Sequence, residues 1–251
     1  MTRSLLALFA AVTAIPTIAA AQTEKPVSVV LVHGAFVDAS GWKPVYDLLT
    51  KDGYEVLMVQ NPTVTLEGDV AATERVIAAA KHPVVLVGHS YGGSVITQAG
   101  DNPKVQSLVY LAAFAPDVGE TTAGIAEQPA PGEDKAPLVA PQDGFLLVDQ
   151  AKFPAAFATG ADPGTTKFMA ASQVPWGLGA VSFKFTKAAW RTKPTSFMVT
   201  TRDQMIPPSQ QRAMAKRTGG RVQEIASSHA VMLVHPEAVA TFIEAAAVAK
   251  K

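Results

Sequence analysis

The chain has 251 residues, 48% of them hydrophobic, a formal net charge of zero and no cysteine. That length and apolar content support one core and one domain of α/β size. Balanced charge leaves no basic footprint for nucleic acid or an anionic membrane surface, and the lack of cysteine excludes disulfides, thiolate catalysis and Cys-based zinc sites.

The first residues differ from the rest. Met1-Thr2-Arg3 is a short basic start, residues 4–18 are mostly apolar, and Ala19-Ala20-Ala21 precedes Gln22. This is the layout of a secretory signal peptide cleaved after a small-residue A-x-A site, here after Ala21. The run is short and broken by Pro16, which argues against an uncleaved membrane helix. Cleavage removes Arg3 as the only charged residue and leaves a net charge of about −1. The expectation is a periplasmic or secreted protein, free of the membrane after cleavage, with residues 22–251 as a single domain.

Residues 27–32 form a nearly continuous apolar run, as in a strand buried on both faces. The run ends at His33-Gly34-Ala35-Phe36. Trp42, Val45, Tyr46 and Leu49 then fall at i, i+3, i+4 and i+7, one stripe of a helix that Gly53 is placed to end. Residues 54–59 predict a second strand, stopped by Asn61-Pro62. A second helix is predicted from about Leu66 to Lys81, with Val70, Ile77 and several alanines inward. Residues 83–87 are a third strand, running into Gly88-His89-Ser90-Tyr91-Gly92-Gly93, with a helix-competent segment behind it and another strand at 105–111. Alternation of this kind implies a parallel sheet with helices on both faces and ligands beyond the carboxyl ends of the strands.

From Pro116 to about Arg191 the alternation stops. The segment is rich in Pro and Gly yet carries many large apolar residues, among them Phe153, Phe157, Phe168, Trp176 and Trp190. A stretch this long is unlike a plain loop and reads as a small, mostly helical cap over a cleft, with most of its aromatics filling its own core. Alternation returns with a strand at 195–200, a turn at 201–208, a helix at 209–218, a strand at 221–225, a loop holding His229 and a terminal helix from Pro236. About six parallel strands are expected.

Gly-x-Ser-x-Gly after an apolar strand and before a helix is the setting of a nucleophile elbow, which lifts a serine hydroxyl to the sheet edge. Ser90 then needs a base, and the base needs a carboxylate to hold its tautomer. Asp203 and His229 follow in the order Ser, acid, His, each just past a strand. Asp117 is the rival acid and His235 the rival base, although His235-Pro236 reads as a helix start. His82 precedes a strand at the wrong end of the sheet. Oxyanion donors are expected from the N–H of Tyr91 and that of Ala35, with Phe36 second. His33 is expected to brace its loop, and His89 to face the scaffold. None of the five histidines has a metal-binding spacing, so no metal and no cofactor is expected.

Together, Leu31-Val32-His33-Gly34-Ala35, Gly88-His89-Ser90-Tyr91-Gly92-Gly93, Asp203-Gln204-Met205-Ile206-Pro207 and Ser228-His229-Ala230-Val231-Met232-Leu233 resemble the α/β-hydrolase superfamily over nearly all of the mature length. Within it the pattern is most similar to small esterases of the plant methylesterase and hydroxynitrile lyase group. The resemblance implies Ser90 as nucleophile, Asp203 as acid, His229 as base and Ala35 and Tyr91 as oxyanion donors. Those lyases carry Thr where Gly34 stands and Lys where Ala230 stands, which argues against lyase activity. Larger hydrolases open with an antiparallel hairpin for which the residues before the first strand leave no room.

The sequence therefore points to a cofactor-free serine hydrolase that cleaves carboxylic esters of small to medium apolar substrates, with Phe36 and Trp176 as candidate substrate contacts. The competing readings are a cofactor-free perhydrolase of haloperoxidase type, a C–C bond hydrolase, and a non-catalytic ligand-binding protein on the same fold. No nucleic-acid partner is expected.

Overall fold

The apolar runs become the middle of a sheet because Val and Leu side chains fill both faces, and the few polar groups among them, such as Ser28 and Ser107, find partners inside the protein. In the computed structural model, which describes residues 25–248, the chain forms β1 (Ser28–Val32), β2 (Glu55–Val59), β3 (Val84–His89) and β4 (Val105–Leu111) in its first half. The expected signal peptide lies outside the described residues. Between these strands lie α1 (Lys43–Lys51), α2 (Leu66–Ala79) and α3 (Tyr91–Ala99). Trp42, Val45 and Leu49 are fully buried, as the helix stripe requires.

The segment between β4 and Arg191 holds α4 (Thr122–Ala126), β5 (Phe145–Leu146), α5 (Phe153–Phe157), α6 (Pro163–Ala171), β6 (Trp176–Gly177) and α7 (Leu178–Val181). Helices are its main regular structure. The antiparallel pairing of β5 with β6 is an addition that two-residue strands do not announce in a sequence. Most of the cap's aromatics are buried, with Phe153 and Phe157 stacked at 4.7 Å; Phe145 and Phe183 are half-buried and Phe168 is 70% exposed. The chain closes with β7 (Thr195–Thr200), α8 (Pro208–Thr218), β8 (Arg221–Ile225), α9 (Val231–Val234) and α10 (Pro236–Val248).

Six strands form one parallel sheet in the order β2-β1-β3-β4-β7-β8. α1 packs with α10 and α2 with α3, so helices cover the sheet. The inner strands β1, β3 and β7 are buried at every residue, whereas the edge strands β2 and β8 are half-exposed. Residues 54–59 hold the predicted strand, and because β2 has one neighbour in the sheet its Met58 lies in solvent.

Register matters most for function. Val32 lies opposite Gly88, His89 opposite Leu111, Leu111 opposite Met198 and Thr200 opposite Ile225. The strands therefore end along one line. The His33–Phe36 turn, Ser90, the 201–208 turn and the 226–229 loop all leave the sheet on that edge, where ligands of such sheets bind.

Candidate active site

Ser90 sits between β3 and α3 with φ 55° and ψ −125°, a conformation that strains a residue with a side chain by about 1–3 kcal/mol. The surroundings leave it no alternative. Its N–H donates to the Leu111 carbonyl at 3.2 Å, and its own carbonyl accepts from Gly93 N–H at 3.0 Å and Phe114 N–H at 3.1 Å. Gly88 and Gly92 permit the turn by close approach: a Cβ on Gly88 would lie 2.5 Å from the Gly92 carbonyl oxygen, and one on Gly92 2.4 Å from that of Val32.

Asp203 and His229, distant in sequence, meet below the surface. His229 Nδ1 lies 2.8 Å from Asp203 Oδ2, with both side chains fully buried. The carboxylate accepts four further bonds: Met205 N–H at 2.8 Å and Ile206 N–H at 2.9 Å on Oδ1, and the Thr200 hydroxyl and Gln211 Nε2, each at 2.8 Å, on Oδ2. An oxygen pair with only donors around it is an acceptor, so His229 Nδ1 carries the proton and Nε2 holds the lone pair. Among the described residues Nε2 has no hydrogen-bond partner. A buried, correctly tautomerised, unpaired imidazole nitrogen is what a general base requires. Asp117, the rival acid, is engaged elsewhere: Arg191 grips it with two bonds of 2.8 and 2.6 Å and holds its carboxyl below the usual carboxylate range. His235, the rival base, lies at the junction of α9 and α10.

The candidate oxyanion donors can be traced by accounting for backbone N–H groups. Tyr91 opens α3, so its N–H has no acceptor within the helix. Among the described residues neither Ala35 N–H nor Phe36 N–H has an acceptor, although both residues are buried. Unpaired buried N–H groups are rare outside sites that use them. Phe36 itself has φ 68°. Gly34 packs so closely on the elbow that a Cβ there would lie 2.6 Å from Ser90 Cβ.

His33 braces this loop. Asn61 N–H donates to its Nε2 at 2.8 Å, which leaves Nδ1 as the donor to the Gly34 carbonyl at 2.8 Å. Burial pushes its pKa down. His89 makes a contact that the sequence did not announce. It is buried in the scaffold against Trp42 and Phe157, and it also lies against His229, with ring centroids 4.6 Å apart and Nε2 donating to the His229 carbonyl at 2.9 Å. Complete burial, and then His229 beside it, hold its pKa well below the usual histidine range. The sequence offers no signal for this, because the direction of a side chain at a strand end is set by the pleat and the turn.

Above the elbow, Phe36 and Trp176 meet edge to face at 5.7 Å, and Trp176 packs on Tyr91 at 5.0 Å. Phe36 also lines a cavity of about 170 Å³ with Val37, Met169 and Leu233, walled mainly by apolar groups. Among the described residues no cluster of His, Asp and Glu could hold a metal, and no helix is long and apolar enough to cross a membrane.

Residues 29–242 match the alpha/beta hydrolase family. The chain belongs to that family. The hydrolase is similar to a carbendazim hydrolyzing esterase of Nocardioides sp. (strain SG-4G), 36% identical over 124 residues, which are 44% of this chain and 51% of that protein. That match spans about half of the relative's length. It is also similar to the alpha/beta hydrolase nvfD of Aspergillus novofumigatus (strain IBT 16806), 28% identical over 245 residues, covering 88% of this chain and 96% of that one. Among solved structures, the Arabidopsis methylesterase MES16 superimposes with a TM-score of 0.72 at 19% identity, over 88% of this hydrolase and 98% of that chain, a likeness of fold.

One buried group escaped the sequence reading altogether. Asp69 in the first turn of α2 is 0% exposed, accepting from Tyr91 Oη at 2.6 Å and Thr63 N–H at 2.7 Å.

Proposed function

We propose that the hydrolase cleaves carboxylic esters of small to medium apolar substrates through an acyl-enzyme on Ser90. The observation that carries this reading is the buried Asp203–His229 pair with a free Nε2, on the same sheet edge as a serine held in an elbow. In this reading Ser90 Oγ attacks the acyl carbonyl while His229 Nε2 takes its proton. The carbonyl oxygen becomes an oxyanion, received by the N–H groups of Tyr91 and Ala35. Collapse expels the alcohol, to which His229 returns the proton. Water, deprotonated by the same nitrogen, then releases the acid.

Phe36 and Trp176, packed edge to face above the elbow, favour an uncharged apolar arm on the substrate. The esterase and methylesterase names among the similar proteins lean the same way. The export of the protein after cleavage at Ala21 is part of this proposal, and a mature N-terminus at Gln22 is the outcome that supports it.

The test is pre-steady-state release of p-nitrophenol from p-nitrophenyl acetate, comparing the wild type with Ser90→Ala. A burst near one equivalent per chain, absent in the variant, supports an acyl-enzyme. Neither burst nor turnover with short or medium acyl chains refutes the esterase reading.

A further inference from the structure

Asp69 presents a problem of charge. It is fully buried, and among the described residues no cation pairs with it. Burying a carboxylate without a counter-ion is costly, and the start of α2 offsets only part of that. Burial also pushes its pKa up, while the Tyr91 and Thr63 donors oppose the shift. A group so expensive to bury invites the question of what it holds.

It holds two things. Through Oδ2 it fixes the Tyr91 side chain, and Tyr91 is the first residue of α3, whose N–H is the candidate oxyanion donor. Through Oδ1 it fixes Thr63, a residue with φ 58°. Thr63 in turn binds the cap: its hydroxyl shares its one hydrogen between the Pro175 and Pro62 carbonyls, each at 2.8 Å, and its own carbonyl accepts from Gly177 N–H at 2.8 Å. The backbones touch there, since a Cβ on Gly177 would lie 2.2 Å from the Val64 oxygen. Between Pro175 and Gly177 stands Trp176, packed on both Tyr91 and Phe36.

We propose that Asp69 is a positioning residue whose single carboxylate sets both the floor of the site, through Tyr91, and its ceiling, through Thr63 and the Trp176 strand. The proposal rests on the esterase reading for what floor and ceiling do. The floor aligns the oxyanion donor and acts in the transition state; the ceiling bounds the substrate and acts in binding.

The two legs can be cut separately. Tyr91→Phe removes the floor leg and lowers kcat about tenfold with KM within about twofold. Thr63→Val removes the hydroxyl bond to Pro175 and raises KM about tenfold with kcat within about twofold. Asp69→Asn, close in shape, shows both effects and speeds hydrogen–deuterium exchange at the Gly177 amide about tenfold or more. A merely structural role would lower stability without splitting kcat from KM between the two legs. Uniform losses in Tyr91→Phe and Thr63→Val, or unchanged Gly177 exchange in Asp69→Asn, overturn the proposal. If Asp69→Asn does not fold, the two single-leg variants, which keep the carboxylate, decide the matter by the same split. A wild type without ester turnover refutes the esterase reading instead, and Gly177 exchange in Asp69→Asn, or in Thr63→Val, then decides whether the carboxylate holds the cap.

Discussion

Replacing Asp203 by Asn changes one atom and should reverse the direction of a proton. The carboxylate takes Met205 and Ile206 N–H on one oxygen and His229, Thr200 and Gln211 on the other. The two backbone donors cannot turn away, so the amide oxygen of the new side chain stays on them and its NH₂ replaces Oδ2. Gln211 cannot easily flip to suit, because its oxygen accepts from Thr200 N–H at 3.0 Å and its nitrogen donates to the Ile206 carbonyl at 2.8 Å. An NH₂ group facing His229 makes Nδ1 an acceptor and moves the ring proton to Nε2. The base then offers Ser90 a hydrogen where it needs a lone pair. Loss of the correct tautomer costs about 10⁴ in kcat in a comparable triad, about 5.4 kcal/mol at 1.36 kcal/mol per decade. The Gln211 donor left against NH₂ costs about 1–3 kcal/mol of stability. The assay is steady-state hydrolysis of p-nitrophenyl acetate, with a urea transition to confirm folding. A folded Asp203→Asn protein with kcat within about tenfold of wild type would refute the argument.

Other predictions concern neighbouring groups. Ser90→Ala removes the burst and lowers kcat by about a millionfold while leaving the chain folded, as read by circular dichroism. Gly34→Thr drives a Cβ to 2.6 Å from Ser90 Cβ, so the elbow or the oxyanion loop must shift; kcat/KM falls about a hundredfold or more, and retention of wild-type turnover would sink the close-approach argument. His33 and His89 both have pKa values lowered by burial from an ordinary 6.5, so the unfolded chain binds protons there that the native one refuses. Native stability is therefore fully retained above pH 6.5 and declines below it, by up to about 1.4 kcal/mol per pH unit for each histidine. Urea midpoints that stay flat between pH 6.5 and 5 would contradict this. His89→Phe, which keeps a ring but loses the bond to the His229 carbonyl, lowers kcat about tenfold and reduces that slope.

The parallel sheet was legible because its inner strands are buried on both faces and so read as unbroken apolar runs. Ser90, Asp203 and His229 stood out because each lies within four residues of a strand's end, and strand ends in a parallel sheet gather on one edge. What stayed hidden depends on contacts between distant segments. Asp69 reads as an ordinary acid in the first turn of a helix, and only the crossing of residues 61–65 and the elbow buries it. Phe36 adopts a left-handed backbone without glycine, which no residue type announces. The β5–β6 pair is two residues long, below any periodicity. Met58 belongs to a run that predicts a strand, but whether that strand lies at an edge, as it does, is a property of the whole sheet.

The contact of Gly92 with the Val32 and His33 carbonyls has a consequence for how such a protein can diversify. It welds the start of α3 to the end of β1, so neither of the two segments proposed to supply oxyanion donors can drift without the other. Variation that preserves the chemistry is thereby channelled into the segment between Pro116 and Arg191, which touches the elbow through side chains. A mutational library confined to that segment should yield altered preferences at a high rate of surviving catalysts, whereas the same number of changes around Gly34 or Gly92 should yield mostly inactive ones.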